Sequence, residues 1–190
     1  MKSEVIGDDT TASARPATIA SATDRRDVMM RNFILQQGFP APPSALRRGQ
    51  YAALTVQPRI VLALVIAGIL FQSAAVFAAL CGLLWVSALF PKLNPFSALY
   101  NRTTGRRPGT FRLGPAPAPR RGAETMAGAF ALVTAVLILA RFSVAAYVFQ
   151  AIFLAAALAV ELAGFCFGTF AYHVRRGNVK FALQTLPWAR

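Results

Sequence analysis

Three side chains near the end of this sequence are of types that do chemistry: Glu161, Cys166 and His173. The first two lie inside the run from Val144 to Tyr172, 29 residues that are apolar except for Gln150, Glu161 and Thr169. A carboxylate in such a run is costly, so it marks a proton or ligand site or a helix contact. On one helix, Gln150, Ala157, Glu161, Gly164, Gly168 and Tyr172 would share a stripe within about 80°. Gly164 and Gly168, four apart, would let another helix approach closely. The stripe therefore reads as a helix-packing or partner interface in preference to an ion path, which needs more than one such group. No basic residue is expected at the depth of Glu161.

Cys166 stands about 140° around the helix from Glu161, so the two do not form a joint site. Cys81 is the other cysteine, also in an apolar run, and both read first as small buried hydrophobes. Two cysteines and one histidine cannot make a tetrahedral metal site alone, so no metal is expected. His173, at the end of the run, is a possible axial ligand for a porphyrin-type group, against the plainer reading of a snorkelling interfacial histidine. No pigment, quinone, haem or lipid is identified by the sequence, and no catalytic residue is assigned.

The elements that would carry these residues follow from charge and apolar length. With 56% apolar and 14% charged residues in 190, the chain lies outside the soluble range. The net charge of +13 does not indicate nucleic acid, because the basic residues flank apolar runs instead of forming a face. The segment Ile60 to Phe90 has 31 uncharged residues, about 46 Å as a helix against a hydrocarbon core of roughly 30 Å. It is expected to fold back at Gln72-Ser73, with helix one starting near Pro58 and helix two running from Ser73 to Phe90; one tilted helix is the alternative. The block Met126 to Tyr172 would be about 70 Å long and should turn at Arg141, its only basic interruption. Helix three is then about Ala123 to Ala140, and helix four is the opening stretch.

The fold class expected is thus all-α and integral to the membrane, with four transmembrane helices as two helical hairpins. Eight Lys/Arg precede Ile60, seven lie from Lys92 to Arg121, four follow Tyr172, and only Arg141 falls at a hairpin tip. That asymmetry puts the N-terminus, the middle loop and the C-terminus in the cytoplasm. The segments are 1–50, a cytoplasmic extension; 51–90, hairpin one; 91–122, a basic Pro/Gly-rich loop; 123–172, hairpin two; and 173–190, a basic amphipathic tail. Within the extension, Met1 to Thr23 reads as a disordered tail, lacking the apolar core of a signal peptide. Asp24 to Gln37 reads as a short helix with Asp24 as N-cap and Gly38 as terminator, lying on the membrane through Met29, Met30, Phe33, Ile34 and Gln37, or else as a partly ordered linker. Phe96 to Tyr100 is expected at the interface. Arg106, Arg107, Arg112, Arg120, Arg121, Arg175, Arg176 and Trp188 are the expected contacts to anionic headgroups of the cytoplasmic leaflet or to a partner.

One group of short motifs adds a resemblance. Gly164-Phe165-Cys166-Phe167-Gly168-Thr169 resembles the Gly-Phe-Cys-x-Gly-Cys signature of the uncharacterised bacterial membrane family known as the DUF4395 domain. Phe90-Pro91-Lys92-Leu93-Asn94-Pro95-Phe96 and Arg112-Leu113-Gly114-Pro115 match it in the same order, over roughly Pro58 to Arg176. The resemblance implies a small multi-helix protein of the bacterial cytoplasmic membrane, without assigned activity, sometimes encoded near thioredoxin-like or sulfurtransferase genes. Two thiols at that spacing would suit dithiol chemistry, but Thr169 stands where the second would be. The function expected is an accessory or scaffolding subunit of a larger membrane complex. The alternatives are a thiol or sulfur relay through Cys166 with a thioredoxin-like partner, and a small transporter centred on Glu161.

Overall fold

The computed structural model describes residues 17–106 and 111–189, and all their regular elements are helical. In chain order these are α1 (Ala17–Gln36), α2 (Ser44–Leu70), α3 (Ala74–Leu89), a single 3-10 turn (Pro91–Leu93), α4 (Pro95–Thr103), α5 (Ala118–Leu139), α6 (Ser143–Ala163), α7 (Phe167–Arg175) and α8 (Val179–Gln184). The helices α2, α5 and α6 are long and apolar enough to cross a membrane, while α3 is equally apolar but has 16 residues. Of the expected disordered tail Met1 to Thr23, residues 1–16 lie outside the described residues, as does Arg107, while residues 17–23 form the first turns of α1.

Both hairpins turn where apolar length and the polar breaks at Gln72-Ser73 and Arg141 placed them, and by the same device. After α2, Gln72 adopts a positive φ of 44°, and Ser73 N–H donates to the Gly68 carbonyl across the turn. After α5, Arg141 takes φ 59° and Phe142 N–H donates to the Leu137 carbonyl. This six-to-one hydrogen bond uses carbonyls that a helix end leaves unpaired. Ser73 then caps α3 by accepting from Val76 N–H.

Helix one begins much earlier than expected, at Ser44, so Pro58 lies inside α2. Proline cannot donate to the carbonyl four residues back, which here belongs to Leu54. The extra turns of α2 do not project into lipid: Gln50, Ala53, Leu54, Thr55 and Gln57 are all buried. They are covered by α1, whose Phe33 and Ile34 are fully buried among Leu54, Tyr100 and Leu113. The expectation that α1 lies on the membrane is therefore corrected, as its apolar face is used inside the protein. Asp24 is not its cap either, since α1 starts at Ala17, although Gly38 does terminate it with φ 86°. Phe96 and Tyr100 are likewise buried in the protein rather than interfacial.

A second cluster, built on Val65, Phe77, Leu80, Leu84, Ala131 and Phe153, joins α2, α3, α5 and α6. The pair α3 and α5 comes closest, because Gly128 offers no side chain: a Cβ there would sit 2.4 Å from Trp85 Cδ1. Trp85 Nε1 completes the contact by donating to the Thr125 carbonyl at 3.3 Å.

Candidate functional site

The apolar stretch Val144 to Tyr172 is two helices, not one. Gly164 ends α6 in the left-handed region, φ 61°, and Cys166 starts α7 in extended conformation. The chain turns so that α7 packs on α5, where Gly168 meets Ala123: a Cβ on Gly168 would lie 2.8 Å from the Ala123 Cα. The proposed stripe is thereby split between neighbours within the chain. Gln150 and Gln72 exchange amide hydrogen bonds at 3.1 and 3.2 Å, tying the two hairpin tips together. Ala157 is buried, Gly164 faces Met29, and the Tyr172 ring lies against Gly122 and under Arg176.

Glu161 sits two residues from the end of α6, not at mid-depth, and it has a basic partner. Its Oε2 accepts from Arg59 Nε at 3.2 Å. Arg59 directly precedes the uncharged run from Ile60, which is why the charge count puts it on the cytoplasmic side; the longer α2 carries it alongside α6. The Arg59 side chain is 60% exposed, so the pair ties the two helices at an open surface.

A polar set that no motif in the sequence marks joins α2 to α5. Arg120, taken above for a lipid or partner contact, is 5% exposed because α5 begins at Ala118 and turns it inward. Its Nη2 donates to Gln57 Oε1 at 2.7 Å and to the Leu54 carbonyl at 3.5 Å, the acceptor that Pro58 leaves unpaired. Gln57 Nε2 donates to Glu124 Oε1 at 2.9 Å, and Asn94 Nδ2 reaches the same oxygen at 3.5 Å. Arg120 and Glu124, four apart on α5, form a buried ion pair at 3.7 Å. The three contacts from Gln57, Asn94 and Arg120 to Glu124 converge on Oε1, and Glu124 Oε2 is buried with no partner. A buried carboxylate oxygen without a donor is unusual in a folded protein. The signals available in the sequence were the Arg120–Glu124 spacing and a proline that would free a carbonyl.

This polar set lines a half-open cavity of about 470 Å³ between α2, α5 and α6, bordered also by Leu84 of α3 and by Phe167 and Gly168 of α7. Its walls are apolar, with Val61, Leu84, Phe130, Ile152, Phe153 and Ala156 among them, and Glu124, Arg120, Gln57 and Cys166 at the polar end. Cys166 N–H donates to Gln36 Oε1 at 3.0 Å, so α1 anchors the short link between α6 and α7. Thr169 Oγ1 donates to the Cys166 carbonyl at 3.0 Å. Cys81 belongs to the α2/α3/α5/α6 core and Cys166 packs against the other cluster, so the two thiols serve different parts of the fold.

His173 is buried, not snorkelling. Its Nε2 lies 3.1 Å from the Gln36 carbonyl, which only accepts, so Nε2 carries the proton. The ring rests against Phe181, with centroids 4.8 Å apart. The remaining basic contacts differ among themselves. Arg121 Nε donates to the Ala88 carbonyl at 2.7 Å, whereas Arg106, Arg112, Arg175, Arg176 and Trp188 are exposed.

No curated protein and no solved structure matches the chain. The family described as Domain of unknown function (DUF4395) matches residues 52–176, which takes in α2 from its first buried turns, both hairpins and α7 but not α1. With well over half its length matched, this chain belongs to the DUF4395 family.

Proposed function

We propose that this chain is a four-span protein of the bacterial cytoplasmic membrane, with both termini in the cytoplasm, that works by holding a lipid-soluble molecule between its helices. The cavity between α2, α5 and α6 carries this reading: its apolar walls, single polar end and volume of about 470 Å³ fit the usual form of a small-molecule site. The topology is supported by the lone Arg141 at the α5–α6 turn, set against the many arginines at the opposite end of the bundle. With α3 as the fourth span, its 16 residues require a locally thinned bilayer.

A second reading, an accessory or scaffolding subunit of a larger membrane assembly, draws on a different observation. Arg102, Arg106, Arg112, Arg175 and Arg176 are exposed in or beside α4 and α7, where anionic headgroups or a partner's acidic surface would meet them. The thiol-relay and Glu161-transport readings receive less support, since Cys166 has no second thiol in its cluster and Glu161 is paired with Arg59.

Purification from native membrane in mild detergent, followed by mass spectrometry for small molecules and proteins in fixed ratio, separates these readings. A stoichiometric lipophilic molecule is the expected result. A stoichiometric large protein without such a molecule would favour the subunit reading, and a chain that emerges with neither would remove both.

A further inference from the structure

We propose that the cavity's occupant is a neutral amphiphile whose head carries a hydroxyl, donated to Glu124; this rests on the cavity being a binding site. Three features of the polar end select that chemistry. Glu124 lines the cavity, is 4% exposed, and has one oxygen engaged by Gln57 and Asn94 while Oε2 has no donor. Glu124 is a lining residue of the cavity, so a head group seated at this end lies beside the carboxyl whose second oxygen lacks a donor. A head that only accepts would leave that oxygen unpaired, whereas a hydroxyl satisfies it.

The charge balance narrows the head further. Arg120 and Glu124 already pair with each other, so the polar end is neutral as a unit. A charged head buried there would bring an uncompensated charge into a low-dielectric site, at a cost that a neutral hydroxyl avoids. Phosphate and carboxylate heads also place negative charge against Glu124. The apolar walls, from Val61 to Phe130 and Ile152, require the rest of the molecule to be a hydrocarbon chain or prenyl group. A diacylglycerol, a fatty alcohol and a prenylated hydroquinone share this chemistry; identification of the co-purified molecule distinguishes them.

Cys166 lines the same end and serves as a built-in reporter. In the purified full-length protein, hexadecanol should slow maleimide labelling of Cys166, read by peptide mass, at about tenfold lower concentration than its methyl ether, which has no hydroxyl to donate. In Glu124→Gln the amide can donate to either probe, and the alcohol's advantage should vanish. Because that variant disturbs the Arg120 pair, Ala156→Phe provides a second one that leaves the polar end intact; filling the tail region should abolish protection by both probes. Equal potency of alcohol and ether on the unmodified protein would overturn the hydroxyl assignment while leaving the cavity a binding site. No protection by either would overturn both.

Discussion

Arg120 shows how a single side chain can hold two helices together through three partners. It satisfies the carbonyl that Pro58 orphans, the amide of Gln57 and the carboxylate of Glu124, so α2 and α5 are locked by one guanidinium. Breaking a buried pair by removing one partner strands a charge, and Glu124→Ala should cost about 3–5 kcal/mol in a denaturant titration in micelles. Replacing both as Arg120→Leu with Glu124→Leu should recover most of that loss, because no charge is then left unpaired. A double variant as unstable as Glu124→Ala would mean that the hydrogen bonds to Leu54 and Gln57, not the ion pair, carry the stability. This set was not legible in the sequence: Gln57 and Glu124 are 67 residues apart, and neither stands in a motif.

At the scale of elements, the decisive feature is the break between α6 and α7. Gly164 adopts φ 61°, where an L-residue with a Cβ is disfavoured by about 1–2 kcal/mol. Gly164→Ala should lower stability by about that amount, with part of the penalty spread to Met29, which already lies 3.0 Å from the position of the added carbon. Gly168→Leu should cost more, about 1–3 kcal/mol or above, because the added carbon meets both the Cβ and the backbone Cα of Ala123, which cannot move aside. Thermal unfolding of the two variants, ranked against each other, checks the order. Reading the stretch as one helix put Gly164 and Gly168 on one packing face; the fold uses the first to turn the chain and the second to dock α7.

For the molecule as a whole, the arginine distribution makes the orientation testable. A cysteine introduced as Arg141→Cys should be labelled by a membrane-impermeant maleimide only from outside the cell. One introduced as Arg175→Cys should be labelled only from the cytoplasmic face. The reverse pattern would invert the topology and move the cavity's polar end to the outer leaflet. The exposed apolar side chains at the hairpin tips, Leu70, Phe71, Leu139, Phe142 and Val144, suit either the outer interface or lipid.

Apolar length and charge determined the plan of this protein by themselves. Uncharged runs too long for one crossing must turn, and Gln72-Ser73 and Arg141 were the positions at which turning was least costly, so both hairpins were legible. Residues expected to meet the membrane were a different matter. Phe33, Phe96, Tyr100 and Arg120 carry no local mark that distinguishes a lipid-facing or headgroup-facing position from a buried one. Only tertiary structure decides that, because burial depends on which helix arrives opposite: α1 over the early turns of α2, and α5 against Gln57. The cavity likewise exists because small residues on α5 and α6 leave space beside a polar set drawn from α2, α5 and the segment before α4.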